Sequence, residues 1–231
     1  MNLALPVAIQ FLPKGNRELS RNLASYLSLA AIDYAYLLSP HIDSIINSIL
    51  AGNYGLLRVL SQIYEVSPDT VTPHSSQLVA LLPKCDSQER LAVFQLYLLI
   101  AQRTPLVLES CISPLCEFLY DSETASTTMQ ILLKLAEQRP LLVAEHFDKI
   151  RLATKTNPST VTLGAQVLAT AGRTNKENAQ YALDFVLEQL PHADRTSQAV
   201  LLQEATKLCS SFPILFTDKV LACVRQKNAL R

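Results

Sequence analysis

Proline punctuates this chain at a regular interval, and that interval constrains the fold more than any other feature. Four apolar helical patterns stop at a proline: YEVSP at Pro68, AQRTP at Pro105, AEQRP at Pro140 and SSFP at Pro213, separated by 37, 35 and 73 residues. Proline has no N–H to give a helix and pushes the residue before it out of the helical region, so each marks a helix end. The residues upstream agree in register. Five positions back stand Ile63, Ile100, Leu135 and Leu208; eight back, Leu60, Tyr97, Leu132 and Ala205; eleven back, Leu57, Phe94, Met129 and Leu202. With Tyr64, Ala101, Ala136 and Cys209 at four back, these positions trace one helical face.

A second apolar pattern follows the end of each first helix. In the opening stretch it is HIDSIINSIL, with Ile42, Ile45, Ile46, Ile49 and Leu50 on one side; HSSQLVALL, ISPLCEFL, HFDKIRLA and YALDFVLEQL are later versions. Ser39-Pro40, Thr72-Pro73 and Ser113-Pro114 each read as an N-cap followed by a first-turn proline. The unit is thus helix, short turn, helix, with a period near 36 residues. That period belongs to tandem helical hairpins of the HEAT and armadillo kind, in which one hairpin cannot bury its face alone and stacking supplies the core.

The expected fold is therefore all-α: an α-solenoid of about six HEAT/armadillo-like hairpins, at 18–52, 53–85, 86–122, 123–158, 159–193 and 194–228. The fifth is the least regular, because its first helix ends at GRTN (172–175) without a proline, and Gly172 is assigned there as a left-handed stop. The rival is a compact all-α bundle, which would not require the same register before four prolines. Residues 1–231 read as a single helical-repeat domain, with 1–13 the remnant of a preceding repeat. Solenoid ends need a polar outer face; neither end shows one, so the chain reads as a fragment of a longer protein.

Composition removes several function classes. Hydrophobic residues make up 49% and charged ones 17%, which is a globular balance rather than a disordered one. Lys+Arg and Asp+Glu cancel at 20 each, so there is no long-range field to attract nucleic acid. The five cysteines include only one close pair, Cys111 and Cys116, without the second pair that a zinc site uses, and are expected to be buried reduced thiols of an intracellular protein. The opening MNLALPVAIQ lacks the basic region of a secretory signal, and no apolar run approaches the ~20 residues of a spanning helix.

No catalytic constellation stands out. HExxH, GxSxG and a glycine-rich phosphate loop are all missing, and 5 glycines leave little material for the last. His41, His74 and His146 recur near the starts of second helices, which points to helix-end structure rather than to one metal site. Neither a cofactor nor a catalytic residue is expected. Second helices usually line the concave side of such arrays, so their polar stripes are the candidate protein-binding surface: Asp43, Asn47, Gln77 (beside Ser76), Glu117, Lys149, Asp184 and Glu188. Lys14, Arg17 and Arg21 form one local basic cluster, a candidate contact for an anion or an acidic partner.

Two stretches carry a resemblance. PVAIQFLPKGNRELSRNLASYLSLAAI (6–32) and HIDSIINSILAGNYGLLRVLSQIYE (41–65), most specifically KGNRELSRN and LLRVL, resemble the Melted family, also called the ventricular zone expressed PH domain-containing proteins. The resemblance is densest over 3–65 and continues more loosely to about 228. It implies an N-terminal helical-repeat region of a cytoplasmic signalling adaptor. In that family a C-terminal pleckstrin-homology domain binds phosphoinositides and places the protein peripherally at the plasma membrane. The family is linked to insulin and TOR signalling, with hamartin and a forkhead transcription factor as partners. Nothing in these residues reads as that β-barrel domain, so membrane contact is not expected of this fragment itself.

The function expected from the residues and the resemblance together is a non-catalytic protein–protein interaction scaffold, monomeric rather than oligomeric. One alternative is self-association or an autoinhibitory structural role. A weaker one is direct binding of anionic lipid through the 14–21 cluster.

Overall fold

The computed structural model describes residues 4–12, 16–215, 217, 220–223 and 225. Among them every regular element is a helix and no strand occurs, in accord with the all-α class. The chain divides into two compact units, 1–111 and 112–231.

In the first unit, α1 (Ala4–Phe11) lies against α2 (Arg17–Leu38), and α2 against α4 (Leu57–Val66). Between the last two, α3 (Ile42–Leu50) buries Ile42, Ile45, Ile46 and Ile49 while Leu50 turns outward. Two short helices, α5 (Pro68–Val71) and α6 (Ser75–Val79), follow α4, and α7 (Ser87–Arg103) then packs against it. Asp86 starts α7 with a capping box: its carboxylate accepts the Glu89 N–H while Glu89 accepts the Asp86 N–H. A 3-10 stretch, Pro105–Cys111, lies against α6 and α7. Tyr97 points inward from α7 and donates its hydroxyl proton to the Ser75 carbonyl at 2.5 Å.

The second unit comprises α8 (Ile112–Cys116), α9 (Ala125–Gln138), α10 (Pro140–Ala144), α11 (Phe147–Thr156), α12 (Val161–Gly172), α13 (Lys176–Gln189) and α14 (Arg195–Ser211). Its centre is α12, which packs against α9, α11, α13 and α14. Small residues permit that approach. A Cβ on Gly164 would sit 2.6 Å from the Thr154 side chain on α11.

The prolines end helices as their spacing predicts. Ser67, Thr104, Arg139 and Phe212 each give a last N–H to the carbonyl four residues back and then leave helical geometry, with φ between −149° and −130°. Pro68 and Pro140 immediately begin α5 and α10, where the missing N–H costs nothing. The residues five, eight and eleven back from Pro68, Pro105 and Pro140 are all buried.

Local expectations are corrected at five positions: Leu202, Gly172, Ser39, Thr72 and Ser113. Leu202, eleven back from Pro213, is 40% exposed, and α14 instead buries Leu201, Glu204, Ala205 and Leu208. Among the described elements α14 packs chiefly on α12, α13 and residues 213–215. Gly172 is not left-handed. It is the last residue of α12, where a Cβ would lie 3.0 Å from the Asn178 carbonyl oxygen and 3.2 Å from Ala182. The described glycine with positive φ is Gly52, at 110°, just past α3. Finally, Ser39 and Thr72 do not cap helix starts: each hydroxyl donates backward, to the Tyr36 and Pro68 carbonyls, and Ser113 and Pro114 lie inside α8.

Candidate protein-binding surfaces

The polar residues of α3 and α6 come together in the first unit. His74, at the start of α6, has its Nε2 3.6 Å from Asp43 Oδ1 and its Nδ1 3.4 Å from Gln77 Oε1. Ser76 Oγ meets Ser110 Oγ at 3.1 Å. Asp43, Asn47 and Gln77 are exposed.

In the second unit the chain itself occupies most of the expected stripe. Lys149 on α11 is ion-paired with Glu117, and that hydrogen bond raises the Lys149 pKa. Arg151 Nη2 donates to both Glu188 oxygens at 2.6 and 2.5 Å. The Tyr181 hydroxyl donates to Asp148 Oδ1 at 2.6 Å, its ring lies 5.4 Å from Phe147, and the Arg151 guanidinium sits 5.5 Å over its face. Gln180 donates to Asp184 at 3.0 Å. Burial raises the Tyr181 pKa, with the bond to Asp148 next in effect. A ligand here must displace intramolecular partners, each exposed pair being worth about 0–1 kcal/mol.

Many of these polar contacts join residues between 32 and 38 positions apart: Lys149 to Glu117, Tyr181 to Asp148, Ser76 to Ser110, Asn53 to Ser20, Asn157 to Leu119 and Arg173 to Ser211. The expected basic cluster is only partly in view. Arg21 is exposed on α2, while Lys14 and the Arg17 side chain lie outside the described residues.

His146, at the start of α11, is pushed below the ordinary histidine value by burial and then by the Lys149 cation, against the opposing pull of Glu145 and Glu117. With the folded pKa depressed, the unfolded chain takes up the proton first. Stability fully present above about pH 6.5 is therefore lost as pH falls from there through the lower folded value. Thermal melts should show a midpoint that drops on mild acidification, and a smaller drop in His146→Gln. An unchanged drop in that variant would contradict the assignment.

Two features went unread in the sequence. The first lies on α2, which kinks at Tyr34, whose φ is −126°. Before the kink, Leu29 and Ile32 are 70% and 67% exposed on the face opposite buried Ala24, Leu27 and Ala31; after it, Tyr36 is 56% exposed. The signal was present in YLSLAAIDYAYLL, which is apolar nearly all round and so has more apolar face than one neighbour covers. The second is an open surface groove of about 540 Å³ between the end of α12 and α14, lined by the exposed residues Arg173, Gln203, Thr206, Lys207, Ser210 and Ser211. Among the described residues no group of histidine, cysteine and carboxylate side chains is placed to hold a metal, and no helix is long and apolar enough to cross a membrane.

No family model matches the chain. Protein melted of Drosophila melanogaster is 68% identical over 229 residues, 99% of this chain and 22% of that protein. Ventricular zone-expressed PH domain-containing protein homolog 1 of Homo sapiens is 31% identical over 230 residues, again 99% of this chain but 28% of the relative, and its Mus musculus counterpart is 32% identical. The chain thus spans between a fifth and a third of the length of these relatives. With similarity running over essentially all of its residues, the chain belongs to the Melted / ventricular zone-expressed PH domain-containing family.

Proposed function

We propose that the chain is a non-catalytic protein-binding scaffold of a signalling adaptor, built from about six stacked hairpins of the HEAT/armadillo kind. The polar contacts between residues one period apart support the stacked reading, since each ties a hairpin to the next within its unit. The observation that carries the binding role is the apolar face of α2. Leu29 and Ile32, more than half exposed along one helix face, with exposed Tyr36 just past the kink at Tyr34, mark a surface that gains by being covered. The docking contact is therefore assigned to α2, ahead of the polar rows, whose charges are largely paired within the chain.

Family membership supports a place in insulin/TOR-type growth signalling, in the cytoplasm and peripherally at the plasma membrane. Hamartin and a forkhead transcription factor are the partners to try first. The PH domain in the names of the mammalian relatives would serve the membrane contact, and this region would hold the protein partner.

The test is capture from cytosol by the 231-residue chain, by Leu29→Glu with Ile32→Glu, and by Asp43→Lys with Asn47→Lys, with circular dichroism confirming that all three fold. The same proteins should bind the parent and the α3 variant and be lost from the α2 variant. Loss in the α3 variant alone would move the site to the polar row. Light scattering distinguishes the self-association alternative: a mass that rises with concentration and returns to monomer in the α2 variant would replace this reading.

A further inference from the structure

We infer that the open groove between α12 and α14 binds the phosphate of a phosphorylated peptide, with Arg173, Lys207 and Ser210 as its contacts. The inference rests on the protein-binding reading above and assigns the chain a second, chemically distinct contact.

The groove carries two exposed cations, each held by a side-chain hydrogen bond. Arg173 follows α12 directly, and its Nε donates to Ser211 Oγ at 3.2 Å; that hydroxyl in turn donates to the Lys207 carbonyl at 3.0 Å. The guanidinium is thereby anchored by one edge, and its other N–H donors have no partner among the described residues. Lys207 is held from below. Its Nζ donates to Glu204 Oε1 at 2.7 Å, and Glu204 is only 1% exposed, so the carboxylate fixes the ammonium without meeting a ligand. The side chains of Ser210 and Gln203 line the same space and make no hydrogen bond among the described residues.

A guanidinium on one side of the groove and an ammonium and a hydroxyl on the other match the several terminal oxygens of a phosphate monoester better than the two of a carboxylate. The groove is open to solvent along its length, since all six residues lining it are exposed, so an extended peptide can lie across it on either side of a phosphoserine or phosphothreonine. A membrane is a poorer fit. Two cations over a buried carboxylate fall short of the roughly 4–8 clustered Lys/Arg that draw a protein to anionic lipid.

The experiment is nitrogen-15 NMR titration of the 231-residue chain at low salt. The probes are Ala-Ala-phosphoserine-Ala-Ala, its unphosphorylated form, its glutamate form, and inorganic phosphate. Sedimentation with phosphatidylcholine–phosphatidylserine vesicles runs in parallel. Saturable shifts at Arg173, Lys207 and Ser210 with the phosphopeptide, weaker ones with glutamate and none with serine, are expected. Arg173→Gln should weaken the phosphopeptide about tenfold, and Ser210→Asp should abolish it by repulsion. Lys207 is left intact, because its removal strands the buried Glu204 and threatens the fold.

No shifts at these residues, or affinity unchanged in both variants, overturns the site. Binding of inorganic phosphate alone, or of vesicles but not of phosphopeptide, overturns the peptide assignment. The two readings fail separately: loss of this site with α2-dependent capture intact removes only the phosphate contact, whereas phosphopeptide binding with no α2-dependent capture sustains it and removes only the α2 assignment.

Discussion

Alanine at Gly164 is expected to destabilise the chain by about 1–3 kcal/mol, as overpacking a filled core does. The sign is informative because alanine is the better helix former by about 1 kcal/mol, and in an open helix the same change would stabilise. The added Cβ would stand 2.6 Å from Thr154 Cγ2, a contact real side chains do not make, with Ile150 and Met129 closing the space at 3.9 Å. Thr154 cannot swing away freely. It is buried and its hydroxyl donates to the Arg151 carbonyl at 2.8 Å. Shortening it to serine removes the offending methyl and keeps the hydroxyl, so Gly164→Ala with Thr154→Ser should recover most of what Gly164→Ala loses. Urea unfolding followed by far-UV circular dichroism reads both effects. A neutral or stabilising Gly164→Ala would mean that α11 and α12 do not approach as described.

Tyr97→Ala should cost more, about 3–5 kcal/mol, since it empties one of the largest fully buried side chains. Tyr97→Phe isolates the hydroxyl. Its 2.5 Å bond to the Ser75 carbonyl joins α7 to the start of α6, and the burial that surrounds it raises the phenol pKa well above the usual value. Losing that donor leaves a buried acceptor, for a cost of about 1–2 kcal/mol. The lower part of that range is expected, because the Cys111 thiol also reaches the Ser75 carbonyl, at 4.0 Å. The same urea titrations apply. A phenylalanine variant as unstable as the alanine one would show that the hydroxyl, not the ring, dominates at this position, against the packing argument.

Helix ends were legible in the sequence because proline acts locally: its effect on the preceding residue needs no knowledge of the neighbours, and Ser67, Thr104 and Arg139 behave alike. The buried faces of α4, α7 and α9 were legible for a related reason, since each is packed on more than one side and tolerates a broad apolar arc. Leu202 failed because burial on α14 depends on how many neighbours that helix has, which its own residues do not record. Gly172 failed through competition between two uses of glycine. A left-handed stop and a close helix approach look the same in one sequence, and here the approach to α13 decided.

The candidate surface was less legible. Glu117, Lys149 and Glu188 are polar residues of the expected surface, but whether such a charge is free depends on a partner 32 to 37 positions away. Glu188 looked available until Arg151, 37 residues distant, was seen to hold both its oxygens. The α2 face was overlooked for the opposite reason. A search for polar stripes passes over Leu29, Ile32 and Tyr36, and only their exposure distinguishes them from core residues.

The most direct test of the scaffold account is amide hydrogen exchange of the 231-residue chain, free and saturated with a protein captured through it, resolved over residues 26–38. Slower exchange along α2 in the complex, with the polar rows of α3, α6, α11 and α13 unchanged, is the expected result. Slowing confined to those rows, or none at all in α2, would contradict it.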